Sequence, residues 1–187
     1  ADPDAPGRIV TRTVETLGGV DILVNNAGII RRADALDFTP DDWNDVLDVN
    51  LKAAFFLAQA VARRLVEQRH GGKIVNVASM LSYQGGVRVA SYTASKSGIL
   101  GLTRLLANEW AARGINVNAI APGYMATDNT APLRADPHRA AEILARIPAG
   151  RWGEPADLDG AVVFLASPAS DYVHGTTLAV DGGWLAR

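Results

Sequence analysis

Short apolar runs alternate with longer amphipathic stretches along the chain. Residues 21–25, 73–79, 116–121 and 177–180 read as strands, carrying Ile22-Leu23-Val24, Ile74-Val75-Asn76-Val77, Val117-Asn118-Ala119-Ile120 and Leu178-Ala179-Val180. Their near-continuous hydrophobicity is the mark of strands covered on both faces, as in a parallel sheet. Helical periodicity fills the gaps. Residues 8–17 predict a short helix stopped by Gly18-Gly19. Thr39-Pro40-Asp41-Asp42 predicts a helix start: a hydroxyl cap, a proline in the first turn, then acids at the positive end of the dipole. That helix is expected to run to about residue 68, with Asn50 in its middle. Further helices are expected over 91–112 and 155–166, with a polar, proline-punctuated helical excursion over 124–147. Strand and helix in regular alternation predict an α/β fold. Residues 51–62 are apolar around most of the helix circumference, so that helix is expected to be buried on more than one side.

In open parallel sheets, ligands bind beyond the carboxyl ends of the strands. Asn25-Asn26-Ala27-Gly28, Ser79 and Pro122-Gly123 all fall at such ends, so three separate segments deliver small or polar groups to one rim. Tyr92 and Lys96, four residues apart near the start of the 91–112 helix, share one helix face. A nearby ammonium favours the phenolate and lowers a tyrosine from its usual value of about 10. Lys96 is therefore expected to turn Tyr92 into an acid or base usable near neutral pH. The bland alternative is an exposed helix turn carrying one aromatic residue and one solvated lysine.

Composition narrows the chemistry. The 187 residues suit one domain, 1–187, with a hydrophobic core of its own; 48% hydrophobic and 20% charged residues are ordinary for a globular chain. A net charge of −2 gives no electrostatic case for nucleic acid or an anionic membrane, and no apolar run is long enough to span a bilayer. The first 20 residues lack the pattern of a signal peptide, and a cytoplasmic location is expected. Zero cysteines exclude disulfides, thiolate catalysis and cysteine-held zinc, and the three histidines, His70, His138 and His174, form no ligand pattern, so no metal is expected.

With Asn25-Asn26-Ala27-Gly28, Asn50, Ser79, Tyr92, Lys96, Pro122-Gly123 and Val180-Asp181-Gly182-Gly183 in this order, the chain resembles the short-chain dehydrogenases/reductases. The resemblance implies a Rossmann-type, doubly wound parallel sheet, a nicotinamide cofactor and hydride transfer at a carbonyl or alcohol carbon. By it, Tyr92 corresponds to the general acid/base, and Lys96 lowers its pKa and holds the nicotinamide ribose. Ser79 corresponds to the serine that hydrogen-bonds the reacting oxygen, and Asn50 to the asparagine that positions a water for proton relay. Asn25, Ala27 and Gly28 would flank the adenosine ribose; Pro122, Gly123, Met125 and Thr127 would meet the nicotinamide and pyrophosphate. Longer stretches, among them 78–86, 118–127, 147–153 and 181–187, resemble the branch acting on sugar acids. That implies a deoxy-hexonic acid from uronate or pectin breakdown as substrate, with NAD as the usual cofactor and NADP not excluded. A gluconate 5-dehydrogenase or another carbonyl reductase is the alternative within the enzyme class.

A carboxylate substrate wants a guanidinium. Arg31 and Arg32 follow the Asn25-Gly28 segment closely enough to be candidates, although a solvated loop paired with Asp34 and Asp37 is an equal alternative. Arg88, Arg134 and Arg139 are weaker candidates, and Gln84 could bond a sugar hydroxyl. In this family the 40–68 and 91–112 helices form a four-helix seam, so a homotetramer or homodimer is expected, with residues 184–187 near another interface. The chain departs from the family at its start: the Gly-rich turn Thr-Gly-x-x-x-Gly-x-Gly, the first strands and the residue that selects NAD over NADP have no counterpart. At about 30 residues per βαβ unit, roughly sixty residues of the usual fold are missing. The expectation is a piece of a longer enzyme, the alternative a catalytically silent truncated subunit. In either case the 21–24 strand is left as an exposed edge with two apolar faces.

Overall fold

The computed structural model describes residue 2 and residues 4–187. Four strands, β1 (Ile22–Asn25), β2 (Gly72–Val77), β3 (Ile115–Pro122) and β4 (Thr177–Val180), lie side by side in chain order, and every pairing is parallel. The helices are α1 (Ala5–Leu17), α2 (Pro40–Leu47), α3 (Ala53–Gln68), α4 (Ala90–Trp110), α5 (Ala131–Ala135), α6 (Pro137–Arg146) and α7 (Asp159–Ala166). The period-2 alternation of β2 explains the layering. Ile74 packs with Leu65 of α3 and Leu106 of α4, whereas its neighbour Val75 packs on the other face with Leu165 of α7. β3 is buried along nearly its whole length, because it has a strand on each side and helices above and below. Complete burial of side chains such as Leu65, Ile74 and Ile115 contributes roughly 1.5–3 kcal/mol each.

Local chemistry sets the boundaries. The Thr39 hydroxyl accepts the Asp42 N–H at 3.1 Å and starts α2. Gly18, at φ 85°, ends α1 in the left-handed conformation that glycine adopts without a Cβ clash. Two asparagines that look misplaced in a central strand have full partners. Asn116 donates to the carbonyls of Asp171 and Val173, and Asn118 donates to Val173 and accepts from Thr176 N–H; together they pin the loop that enters β4.

Two expectations change in detail. The helix expected over 39–68 is broken by a π turn, Asp48–Lys52, centred on Asn50. Such a turn inserts one residue into the helical ladder and is common at functional sites. The 155–166 helix begins as a 3-10 turn, Pro155–Leu158, before α7. β1 is an edge, and its apolar side chains Ile22 and Val24 are 49% and 41% exposed. Among the described residues no helix is long and apolar enough to cross a membrane.

Candidate active site

The strand register brings the sequence candidates to one rim. Val77 lies opposite Ile120 and Pro122 opposite Val180, so Ser79, Gly123 and Asp181 leave the sheet side by side. A Cβ on Gly123 would lie 2.5 Å from Asp181 Cα, a backbone approach only glycine permits. Ser79 opens a 3-10 turn: its hydroxyl accepts the Leu81 N–H, and its own N–H reaches the Ser82 hydroxyl, both at 3.2 Å. Ser82 in turn donates to the Lys96 carbonyl at 2.7 Å, tying the serine turn to α4. Before α4, Arg88 sits at φ 63°, which costs a non-glycine residue about 1–2 kcal/mol. It is held by the Ala33 N–H on its carbonyl and by Asp34 on its guanidinium.

Ser79 and Tyr92 open into a single cavity of about 600 Å³, together with Gln84, Tyr124, Ile143 and Trp184. Burial raises the Tyr92 phenol above its ordinary value, and a hydrogen bond with Ser79 and the charge of Arg32 pull against that rise. The expectation that Lys96 lowers Tyr92 needs correcting. The ammonium lies 5.7 Å from the centre of the phenol ring and gives its hydrogen bond to the Val77 carbonyl at 2.6 Å. It is buried, 4% exposed, and desolvation lowers it to about 8.

The Asn50 side chain is bonded to the loop after β1 and to α4. Its Oδ1 accepts the Ile29 N–H at 2.8 Å; its Nδ2 donates to the Ile29 carbonyl at 2.9 Å and the Ser95 hydroxyl at 3.2 Å. Both amide protons are committed, so the side chain clamps the loop after β1. The clamp sets Gly28 before the lysine: a Cβ there would lie 3.5 Å from Asn50 Oδ1 and 3.7 Å from Lys96 Nζ. Asn25 braces the same corner, donating to the Ala54 carbonyl and to Asn76 Oδ1. Beyond β3, Met125 bridges to Gly153, and the Met125 carbonyl accepts the Thr127 N–H. The ribose-nicotinamide half of a dinucleotide fits here. Gly28 and Ala27 are exposed, and a glycine next to the buried Lys96 ammonium lets a ribose hydroxyl approach it. No resident metal cluster exists among the described residues.

The two arginine candidates separate. Arg31 is bound by Asp42 and Asp45 at 3.4 and 3.2 Å and takes no part in the cavity wall; two carboxylates on α2 already compensate its charge. Arg32 does line the cavity and donates to the Asn129 carbonyl at 3.0 Å. Arg88 pairs with Asp34, and Arg134 is spent on the Thr127 carbonyl. Arg139 reaches the wall already paired with Glu142 at 2.9 Å. Gln84 lines the cavity, with its Oε1 accepting from Arg146 at 3.2 Å. Trp184 is 4% exposed and packs with Met80, Ile143 and Ile147. Sequence reasoning missed Arg146. The available signal was its place three residues after Ile143 on an amphipathic helix, at the margin of the buried face. We expect Arg32→Gln to move the Tyr92-dependent limb of the pH–rate profile to higher pH, since it removes a charge favouring the phenolate, and Arg31→Gln to leave that profile unchanged.

Comparison with known proteins places this geometry. A family model described as Enoyl-(Acyl carrier protein) reductase matches residues 1–185. The 2-dehydro-3-deoxy-D-gluconate 5-dehydrogenase of Escherichia coli is 66% identical over 179 residues, covering 96% of this chain and 71% of the relative. A crystal structure from Agrobacterium tumefaciens with bound NADP superposes with TM-score 0.93 at 61% identity, covering 100% of this chain and 75% of that one. The gluconate 5-dehydrogenase of Burkholderia cenocepacia, in complex with NADP and tartrate, gives TM-score 0.96 at 42% identity, covering 100% and 72%. Fold, rim geometry and sequence agree: the chain belongs to the short-chain dehydrogenase/reductase family, the NAD(P)-dependent oxidoreductases built on a Rossmann-type sheet.

Proposed function

We propose that the protein interconverts a ketone and a secondary alcohol on a deoxy-hexonic acid, acting as one domain over 1–187 in a cytoplasmic homotetramer or homodimer. The observation that carries this is the meeting of the Ser79 and Tyr92 hydroxyls in a cavity whose wall also holds guanidinium groups. When bound, the nicotinamide supplies or accepts the hydride at the reacting carbon. The chain's own groups do the rest. Ser79 donates a hydrogen bond to the substrate oxygen and polarises it. Tyr92, whose proton burial holds more firmly than in a free phenol, gives that proton to the oxygen during reduction and recovers it during oxidation. Lys96 holds positive charge beneath the ribose and the phenol ring, and Asn50 fixes the Gly28 loop that makes room for the cofactor. Arg32 supplies positive charge at the reacting end. The relatives named for deoxygluconate and gluconate oxidoreduction, including one with NADP and tartrate, support a hydroxy-acid substrate and admit either cofactor.

The test is direct. The purified protein, titrated with NADH and with NADPH, is expected to bind at least one of them saturably and then to reduce a 5-keto-hexonic acid. Binding without reduction of any keto sugar acid, alongside reduction of neutral ketones, would remove the sugar-acid reading and leave a general carbonyl reductase. Failure to bind either nucleotide would remove catalysis from this chain.

A further inference from the structure

Resting on the reading above, we propose that Arg146 is the carboxylate anchor of the cavity and the residue that determines its specificity for acids. The cavity wall carries three guanidinium groups, and their partners differ. Arg139 is compensated by Glu142. Arg32 is close enough to the phenol to act on its ionisation, so a carboxylate bound there would crowd the reacting carbon. Arg146 alone combines three properties: it faces the cavity, it has no carboxylate partner among the described residues, and it is held rigidly.

The rigidity comes from two contacts. The Arg146 guanidinium stacks on the Trp184 ring, with Cζ 4.0 Å from the ring centroid. One terminal nitrogen donates to Gln84 Oε1 at 3.2 Å. A planar guanidinium stacked on an aromatic face keeps its in-plane N–H groups available, and a carboxylate takes two of them in parallel. Trp184 is itself locked, 4% exposed, with Tyr124 edge-on at 4.7 Å. At the base of the arrangement, Arg187 donates to the carbonyls of Ala145 and Arg146 at 2.9 and 3.2 Å. Those are last-turn carbonyls of α6, where a cation is favoured, so Arg187 is a positioning residue for the anchor. The substrate class follows: hydroxy or keto acids whose carboxylate lies several carbons from the reacting carbon, leaving Ser79 and Tyr92 at the other end. An α-keto acid, with its carboxylate adjacent to the carbonyl, would not bridge the two.

The test uses D-gluconate as the binding probe, followed by tryptophan fluorescence in the full chain, and turnover of 5-keto-D-gluconate against its methyl ester. Arg146→Gln is expected to weaken gluconate binding by about tenfold or more, the scale of a lost hydrogen bond to a charged group. For turnover, the loss should fall on KM for the acid and spare the ester, and Arg146→Lys should recover part of it. Arg187→Gln should weaken gluconate binding less than Arg146→Gln does. The anchor is overturned if Arg146→Gln leaves gluconate binding intact, if acid and ester fall equally, or if Arg32→Gln alone abolishes binding. Circular dichroism and melting of each variant identify a misfolded protein, in which case Arg146→Lys and Trp184→Phe carry the same comparison. Arg146-dependent gluconate binding with no turnover of any acid would sink the proposed reaction and keep the anchor. Turnover of acids indifferent to Arg146 would do the reverse.

Discussion

Tyr92→Phe is expected to lower turnover at least about a hundredfold, the usual scale of a lost general acid or base, while nucleotide affinity and folding stay nearly intact. The substitution removes one oxygen from a ring that is otherwise held by its surroundings. Lys96, 5.7 Å from the ring centroid, keeps its bond to the Val77 carbonyl, and Ser79 keeps its turn with Leu81 and Ser82. The direction of the pKa shift makes the expectation sharper. Burial raises Tyr92 further above neutrality, so the phenol keeps its proton at pH 7, the form that reduction of a ketone consumes. Alcohol oxidation needs the phenolate, so rising pH favours it through Tyr92 until Lys96, lowered to about 8, loses its charge, whereas reduction should already be near its maximum at pH 7. Tyr92→Phe should remove the rising limb of oxidation as well as lower both rates. Turnover within a fewfold of the native value would take the proton-transfer role away from Tyr92.

The sheet and the rim were legible in the sequence because both rest on local signals. Apolar runs such as Ile74-Val75-Asn76-Val77 need two covered faces, and the Thr39-Pro40-Asp41-Asp42 start is written in cap chemistry. Spacing alone put Tyr92 and Lys96 on one helix face. What spacing cannot carry is where an ammonium spends its hydrogen bond. Lys96 chose a carbonyl nineteen positions earlier in the chain, Val77, and burial reversed the expected direction for the phenol. Asn50 was placed correctly in its helix, but the π turn around it and its two hydrogen bonds with the Ile29 backbone depend on a loop that closes over it only in three dimensions. The arginines show the same limit. Arg31 and Arg32 are adjacent in sequence and separate in space, because Asp42 and Asp45 rise from α2 on one side only. Arg146 lies 54 positions after Tyr92 and meets the same cavity through the packing of α6 and Trp184, which no local pattern records.

Lys96→Met should separate activity from stability. Turnover is expected to fall by about a hundredfold or more, because the positive charge under the ribose and phenol is lost at the step where negative charge develops on the tyrosine oxygen. Stability should not follow it down. The buried ammonium is lowered from 10.5 to about 8 by desolvation, so the charged lysine is a burden on the fold at neutral pH. Against that, its removal leaves the Val77 carbonyl without its 2.6 Å partner, a loss of about 1–3 kcal/mol. The two effects are similar in size, and the melting temperature at pH 7 should change by only a few degrees. The sign of the pH dependence is fixed. Between pH 8 and 10 the unfolded chain still protonates this lysine while the folded chain does not, so the native protein gains stability with rising pH. Relative to Lys96→Met, that gain should reach about 2–3 kcal/mol between pH 7 and pH 10. Denaturant unfolding of both proteins across that range measures it. A constant difference would mean that Lys96 keeps its ordinary pKa and is solvated, and a solvated lysine could not supply the desolvated charge that the site chemistry requires.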